Sequence, residues 1–351
     1  MWSNTSELEG ALRDAGLAEW APRLAQLARH CIILVPGPLE EGAHAPSGAC
    51  RLGGAPDMPP DVDWPIRPPF REKWESILAG PMPGRVLLGP HHWLHRLFRT
   101  QRWKQALEGW ERSRQAETDV RNRAWPLSFV AQIDFAELYA VHALDCFPPA
   151  GRLQLFCDPL DWPWGEREDQ ARVRAIFTEL PAERLERRRS PPEFDTPEAR
   201  QLMPRGFVFK PRALRLTAWL LPPPWRSREL LCLQAEAPGA WAYEAGAFSA
   251  YHQFWWDLFA REPHTFGPTG EAIHQAGGTA ISIQEPVEAE CAKFAGDTAE
   301  VADNWHLVLQ IDSDIEVGME WGDVGRLYLC ARRFDLAARR FDRCWMVMQC
   351  Y

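Results

Sequence analysis

Apolar positions near the start of the chain predict two short helices followed by a buried strand. Apolar residues recur at helical spacing on both sides of Gly16, which predicts two amphipathic helices within residues 1–30. Ser6 and Glu9 have the spacing of a capping box, so the first helix is expected to begin at Ser6. The apolar run at 31–35 is typical of a buried strand.

The pattern changes several times farther along the chain. Residues 36–69 are rich in Pro and Gly, which predicts irregular loops and no helix. Apolar residues return at helical spacing from 91 to about 118 and predict a helix there. The aromatic stretch 248–259 predicts another helix, and the apolar runs of 343–351 predict a final strand.

One sequence pattern occurs twice. The two copies are FVAQID at 129–134 with GRLQL at 151–155, and LVLQID at 307–312 with GRLYL at 325–329. The connection is four residues shorter in the second copy, a difference that fits in a loop without changing the period of either strand. These pseudo-repeats, about 126–158 and 305–336, predict an internally duplicated core. We therefore expect a single α+β domain over residues 1–351, with mixed or antiparallel sheets.

Composition and charge limit the classes of function. The chain has 351 residues, of which 46% are hydrophobic and 25% charged, as in globular proteins. Its first residues carry acids where a secretory signal needs basic residues, so a cytoplasmic protein without a membrane partner is expected. The nine cysteines form no Cys-x-x-Cys motif and are expected to be mostly core residues. The formal net charge of −9 favours a basic partner and argues against direct nucleic-acid binding.

Several separated motifs together resemble one family. They are GGAP at 53–56, WP at 64–65, PLSFVAQID at 126–134, PAGRLQLF at 149–156, HQAGG at 274–278 and the block 305–328. Their order and combination are similar to those of YwqG-like proteins over about 50–65 and 125–351. The resemblance implies an α+β fold and a cytoplasmic bacterial protein, and it implies no catalytic residues. Some relatives are encoded beside toxins used in competition between bacteria, which suggests an immunity protein.

The segment 67–124 departs from that family's pattern. Family members usually connect the WP motif to the PLSFVAQID strand by a shorter segment, so residues 67–124 are expected to be a helical insertion. Between 85 and 123 the chain has nine Lys or Arg and four Asp or Glu, and subtracting this +5 from the net charge of −9 leaves −14 for the remainder. Trp and Arg dominate the energetics of protein interfaces. The predicted partner-binding residues are Trp93, Arg96, Arg99, Arg102, Trp103 and Trp110.

The connection between the strands of the second copy carries a candidate cation site. Five acidic residues have a spacing similar to that of a Ca²⁺-binding loop: Asp312, Asp314, Glu316, Glu320 and Asp323. An EF-hand loop needs Gly at its sixth position and Glu at its twelfth, where this chain has Val317 and Asp323. Ca²⁺ or another divalent cation is therefore one interpretation, with no other cofactor expected. The other is a turn, the role also expected for Asp134 and Asp312 at their strand ends.

Other candidate sites have alternative interpretations as well. His91 and His95 are spaced to share a Zn²⁺ ion on a helix, but no third ligand is evident. Trp255 and Trp256, beside His252 and Asp257, could line a small-molecule groove, but core packing at helical spacing is the favoured interpretation. The chain lacks the Gly-x-Ser-x-Gly, Walker-type and Gly-x-Gly-x-x-Gly motifs.

The leading functional hypothesis is a non-enzymatic immunity protein that neutralises a cognate protein toxin, such as a basic nuclease, by direct binding. The family resemblance, the missing catalytic motifs and the acidic bulk of the chain motivate it. The alternative is a metal-dependent enzyme or a small-molecule-binding protein.

Overall fold

The structure, a computed structural model, describes residues 2–69, 101–203, 205–242, 245–261, 272–298 and 304–351. The chain divides into two compact units. The first unit consists of Met1–Asp63, Ser128–Arg189 and Val208–Tyr351, and the second of Trp64–Leu127 and Ser190–Phe207.

Strands account for the main framework. In chain order they are β1 (Arg29–Pro36), β2 (Arg51–Leu52), β3 (Asp57–Met58), β4 (Ile66–Arg67), β5 (Trp125–Pro126), β6 (Ser128–Asp134), β7 (Arg152–Cys157), β8 (Val173–Thr178), β9 (Glu186–Arg187), β10 (Arg212–Leu221), β11 (Gln275–Ala276), β12 (Trp305–Asp312), β13 (Arg326–Arg332) and β14 (Trp345–Gln349). The predicted strands at 31–35 and within 343–351 are thereby confirmed as β1 and β14.

Ten of these strands form one sheet in the first unit. Their order is β14-β13-β12-β11-β1-β10-β2-β6-β7-β8, and each neighbouring pair is antiparallel. Of the two predicted sheet types, the antiparallel one is therefore present. The central strands β1 and β10 pair along their length, from Arg29 opposite Leu221 to Pro36 opposite Leu214. Four strands follow on either side of this central pair.

The two copies of the sequence pattern form two equivalent strand pairs. The first copy forms β6 and β7, and the second forms β12 and β13. Both pairs have a register shift at the same place, between Phe129 and Ala131 in one and between Leu307 and Leu309 in the other. The strand–connection–strand arrangement predicted for each copy is therefore present.

Helices lie between and before the strands. They are α1 (Thr5–Leu12), α2 (Ala21–Gln26), α3 (Leu39–Ala43), α4 (Gln101–Arg121), α5 (Phe135–Val141), α6 (Pro197–Leu202), α7 (Arg228–Glu236), α8 (Gly246–Arg261), α9 (Val287–Ala295) and α10 (Arg333–Ala337). The prediction of no helix in 36–69 was wrong at α3. Its five residues contain no proline, and Pro38 precedes them at the N-cap with extended backbone, where proline is tolerated.

The N-terminal helices are present, but the first begins earlier than predicted. Gly16, with a φ of 83°, interrupts the helical turns that follow α1, as only glycine does without strain. The N-cap is Asn4, whose side chain accepts a hydrogen bond from the Glu7 backbone N–H at 3.0 Å. The Glu7 carboxylate in turn accepts from the Ser3 N–H at 2.9 Å. The capping residue is therefore Asn4 and not Ser6.

An apolar cluster of the first unit lies between the sheet and its helices. Leu8 and Leu24 of the N-terminal helices pack there with Ile33 of β1 and with Tyr251 and Trp255 of α8. The predicted aromatic helix at 248–259 is confirmed as α8, and its apolar face is part of this core. A smaller cluster lies between α9 and strands β12, β13 and β14.

The second unit has a small core of its own. Strands β4 and β5 pair through Ile66–Pro126 and Arg67–Trp125, and α6 packs against α4. Phe194 and Phe207 stack with ring centroids 5.1 Å apart, and Trp125 lies 5.6 Å from Phe207. The predicted helix near 91–118 is present as α4, and its predicted part before Gln101 lies outside the described residues.

The helices and the cysteines of the described residues bear on two expectations from the sequence, one about the membrane and one about the role of the thiols. None of their helices is both long and apolar enough to cross a bilayer. All nine cysteines lie among them as free thiols. The buried ones are Cys31, Cys50, Cys157, Cys291 and Cys330, so the core role predicted for most cysteines is confirmed.

Candidate functional site

Asp312, at the end of β12, is the centre of a buried polar cluster. It is 2% exposed, and one carboxylate oxygen accepts hydrogen bonds from the Arg326 Nε and the Ile273 backbone N–H, both at 2.8 Å. The other accepts from the Ser313 N–H at 3.1 Å. Burial raises the pKa of Asp312, and the Arg326 charge opposes that shift. Asp312 and Arg326 therefore form a buried ion pair where β12 ends and β13 begins.

His274 links this cluster to Asp314. Its Nδ1 accepts a hydrogen bond from the Asp312 backbone N–H at 3.1 Å, and its Nε2 lies 3.3 Å from the Asp314 Oδ2. Because Nδ1 accepts, the neutral ring carries its proton on Nε2, and this N–H donates a hydrogen bond to the Asp314 carboxylate. Burial acts to raise the pKa of Asp314, but hydrogen bonds from His274 and from backbone N–H groups outweigh it, so that pKa is lowered.

The other three predicted cation ligands lie at the surface. Glu316, Glu320 and Asp323 are exposed, and Glu316 lies 3.2 Å from the Arg212 guanidinium. Within the part of the chain that the structure describes, no group of three or more His, Cys, Asp or Glu side chains is placed to hold a metal ion. The cation interpretation stays a prediction, and the observed contacts of Asp312 and Asp314 are those of a structured turn.

The first half of the sheet repeats the Asp312 arrangement around Asp134. Asp134 pairs with Arg152 at 2.7 Å, as Asp312 pairs with Arg326. The Asp134 backbone N–H donates to the Cys50 Sγ at 3.1 Å, where the Asp312 N–H donates to His274. Asp134 also caps α5 by accepting from the Ala136 N–H at 2.8 Å. The role expected for Asp134 and Asp312, ending a strand at a turn, agrees with these contacts.

Gln132 and Gln310 are buried at matching positions of the two halves. Their side-chain oxygens accept from the backbone N–H groups of Asp57 and Ile281, both at 2.9 Å. Their side-chain amides donate to backbone carbonyl oxygens, also both at 2.9 Å, of Ala49 and Ile273. Since the same contact recurs in both halves, these glutamines hold the loops that follow β2 and β11.

A buried charge network around Asp57, in the first half of the sheet, was not predicted from the sequence. Asp57 is 0% exposed and pairs with Arg51 and, at 2.8 Å, with Arg187. Burial, and then the charge of Arg187, lower the pKa of Arg51 to about 9. The matching position in the other half is the apolar Ile281. Both residues follow a Gly-Gly pair by three positions, a signal that could have located the network.

The aromatic residues of α8 do not line a common surface. Trp255 is 6% exposed and belongs to the core, whereas the neighbouring Trp256 is 65% exposed. His252 packs against Trp225, with ring centroids 4.3 Å apart. The core-packing interpretation is therefore confirmed for Trp255, and the predicted groove lined by both tryptophans was wrong. Consecutive helical residues point about 100° apart, which prevents both from facing one groove.

The predicted partner-binding residues belong to the second unit. Arg102, Trp103 and Trp110 lie on α4, and their side chains are outside the described part of the structure. Outside the described residues altogether are Trp93, Arg96 and Arg99, and likewise His91 and His95.

Arg67 anchors the end of α4. Its guanidinium, which is 0% exposed, donates hydrogen bonds to the carbonyl oxygens of Val120 at 3.1 Å and Arg123 at 2.9 Å. A cation at a helix C-terminus is favourable because the last carbonyl groups have no partner within the helix. The second unit is thus organised around a buried arginine that fixes the end of its longest described helix.

Replacing Arg67 with Met is expected to destabilise the second unit by about 2–3 kcal/mol, because charge-assisted hydrogen bonds to the α4 carbonyls are lost. Hydrogen exchange resolved by segment should show faster exchange in α4 with β12 unchanged. Arg67→Lys keeps the charge without the two-armed donor geometry and should have an intermediate effect. Equal exchange of α4 in all three proteins would contradict the anchoring role.

Comparison with known proteins identifies the family. The family described as Domain of unknown function (DUF1963) matches residues 50–350. This match spans the buried Asp312 and Asp134 clusters and the Gln132 and Gln310 contacts. A search of the curated proteins finds no match. The match covers well over half of the chain, and the protein belongs to the DUF1963 family.

Proposed function

We propose that this protein is a non-enzymatic cytoplasmic binding protein of the YwqG-like type, most concretely an immunity protein that neutralises a cognate toxin by direct contact. The proposal rests on the second unit, which contributes no strand to the ten-stranded sheet. The chain leaves the first unit after Asp63 and re-enters it at Ser128, where β6 is in register with β2 and β7. The ten-stranded sheet is formed without any strand of the second unit, so that unit is available for another role.

The polar clusters of the sheet support a scaffold rather than an active site. Asp134 and Asp312 have matching ion pairs, and Gln132 and Gln310 have matching backbone contacts. A catalytic group works at one place on a substrate, whereas these residues do the same work at two places in the sheet. Their common task is to hold strand ends and loops in position.

We also propose that the sheet arose by internal duplication. The proposed repeats are β1-β2-β6-β7-β8 and β10-β11-β12-β13-β14. From the centre of the sheet outward, one side has the order β10-β2-β6-β7-β8 and the other β1-β11-β12-β13-β14. The two repeats therefore have the same strand order, except that their first strands, β1 and β10, have changed sides. Supporting this are the matching register shifts. The Gly-Gly pairs after β2 and β11 also match, with φ values of 57° and 74° in one and 65° and 72° in the other.

Charge and residue type suggest how a toxin would be bound. The chain outside 85–123 carries a formal −14, which would attract a basic toxin such as a nuclease over long range. Close contact is assigned to α4, where Arg102, Trp103 and Trp110 lie, because Trp and Arg supply most interface hot spots. Arg112 on the same helix is exposed.

A tagged pull-down from the source cell, with mass spectrometry and size-exclusion chromatography, tests the proposal. The expected result is one equimolar protein partner that contains a toxin-like domain and whose toxicity is lost in the complex. A monomer without a partner would contradict it and favour a metal-dependent or small-molecule-binding protein. A partner that is chemically modified by this protein would contradict the non-enzymatic part.

A further inference from the structure

Two histidines from distant parts of the first unit are stacked face to face. His30 lies in β1, opposite Leu220 of β10, and His142 is the C-cap of α5. Their ring centroids are 4.1 Å apart, with an angle of 27° between the planes. Both rings are partly buried. This stack joins a central strand to residues 142–148, which connect α5 to β7 and are here named the α5–β7 connection.

The α5–β7 connection also packs on the second half of the sheet. A Cβ atom added to Gly277 would lie 2.8 Å from the Leu144 Cδ1, so the Leu144 side chain rests directly on the glycine that follows β11. The Phe147 ring packs edge-on against Phe135 at 5.4 Å. Cys146 has a φ of 69°, an uncommon conformation for a residue with a side chain. The connection is therefore held by a few side-chain contacts.

Charged residues act on two groups of the same unit, His306 of β12 and Cys146 of the α5–β7 connection. Arg29 precedes His30 in β1, and the fields of Arg29 and Arg333 both act on His306 of β12. Arg333 of α10 also acts on Cys146 of the connection. Asp145 is the acidic group in this neighbourhood, facing His306 and Cys146. The charge that acts on His30 itself is that of His142.

We propose that the His30–His142 stack is a pH-sensitive latch, which holds the α5–β7 connection against β1 and β11 at neutral pH and releases it when both rings are protonated. Two neutral imidazoles stack favourably, whereas two imidazolium ions at this separation repel each other. Released, the connection uncovers Gly277. This device is independent of any partner bound by the second unit.

The direction of the pH dependence follows from His30. Burial, and then the charge of His142, lower the pKa of His30 below its ordinary value of 6.5. The released state, in which His30 is solvated, therefore binds its proton first as the pH falls. The closed state is fully favoured above about pH 6.5 and loses stability as the pH falls below it.

Hydrogen exchange of the intact protein at about pH 7.5 and about pH 5, expressed as protection factors that correct for intrinsic rates, tests the latch. The amides of His142, bonded to the Leu138 carbonyl at 2.9 Å, and of Phe147, bonded to Leu144 at 3.3 Å, should lose protection at the lower pH, because the released state binds the His30 proton more readily. The β12 amides should keep theirs. His142→Phe retains an aromatic ring that cannot be protonated and should reduce the pH dependence, because His30 keeps its burial but loses the charge of His142.

His252→Phe is the matched control, because His252 is an exposed histidine packed on Trp225 in another part of the unit. It should leave the pH dependence of the connection unchanged. Should His142→Phe fail to fold, an NMR titration of the unmodified protein replaces it, with the pKa of His30 expected to lie below its ordinary value of 6.5. Equal protection at both pH values, an unchanged pH dependence in His142→Phe, or a His30 pKa at its ordinary value would overturn the proposal.

Discussion

Replacing Asp312 with Ala is expected to lower the free energy of unfolding by about 3–5 kcal/mol, because it leaves the guanidinium of Arg326 buried without its carboxylate. The side chains of Asp312 and Arg326 are 3% and 9% exposed, so water cannot replace the lost partner. The backbone N–H of Ile273 loses its acceptor as well. Equilibrium unfolding in urea measures the change.

Three further variants separate this effect from a general loss of charge. The double variant Asp312→Leu with Arg326→Met should recover most of the loss, since neither charge is then stranded. Asp134→Ala should cost less, because Arg152 is 16% exposed and also donates to the Gly48 and Leu180 carbonyls. Glu316→Ala, at a side chain that is 62% exposed, should change stability by less than about 0.5 kcal/mol. A loss below about 1 kcal/mol for Asp312→Ala would contradict the assigned role.

Replacing Gly53 with Ala is expected to cost about 2–5 kcal/mol, the sum of a left-handed backbone conformation and overpacking. Gly53 has a φ of 57°, and a Cβ atom there would lie 2.6 Å from the Lys210 carbonyl oxygen and 2.8 Å from that of Phe209. Both are backbone atoms, which cannot move aside without disturbing the segment that leads into β10. Thermal and urea unfolding should both show the loss.

Gly277→Ala is the matched control in the other half of the sheet. Gly277 has a similar φ of 65°, but the atom that a Cβ would meet is the Leu144 Cδ1 at 2.8 Å, the far end of a flexible side chain. The expected cost is therefore about 1–2 kcal/mol, from the backbone conformation alone. Equal costs at the two positions would show that the close backbone approach at Gly53 is unimportant.

Individual helices and strands were predicted well because residues close together in the sequence specify them. Strand β1 is a continuous apolar run, and α8 has aromatic residues at helical spacing, so neighbouring residues alone specify them. The strand pairs β6–β7 and β12–β13 were predicted because their sequences repeat. In contrast, the N-cap depended on whether Asn4 or Ser6 accepts from a backbone N–H, and both residue types cap helices well.

The parts that the sequence could not specify depend on contacts between distant residues. His274 contacts Asp312 across 38 positions, and Asp57 meets Arg187 across 130. No periodic pattern carries such pairings. The pairing of β1 with β11, and of β10 with β2, likewise joins strands that are far apart in the sequence. Local sequence favours strands at these positions without choosing their neighbours.

The proposal that the second unit contacts a toxin is tested most directly by the affinity of the captured protein partner for variants of the two units, measured by titration calorimetry. Trp103→Ala with Trp110→Ala on α4 is predicted to weaken binding by at least about 30-fold, the loss of one interface hot spot. Trp256→Ala, at a 65% exposed tryptophan of the first unit, is predicted to leave the affinity unchanged. Undiminished binding by the α4 variant, in a protein that unfolds like the unmodified one, would contradict the assignment of partner contact to the second unit.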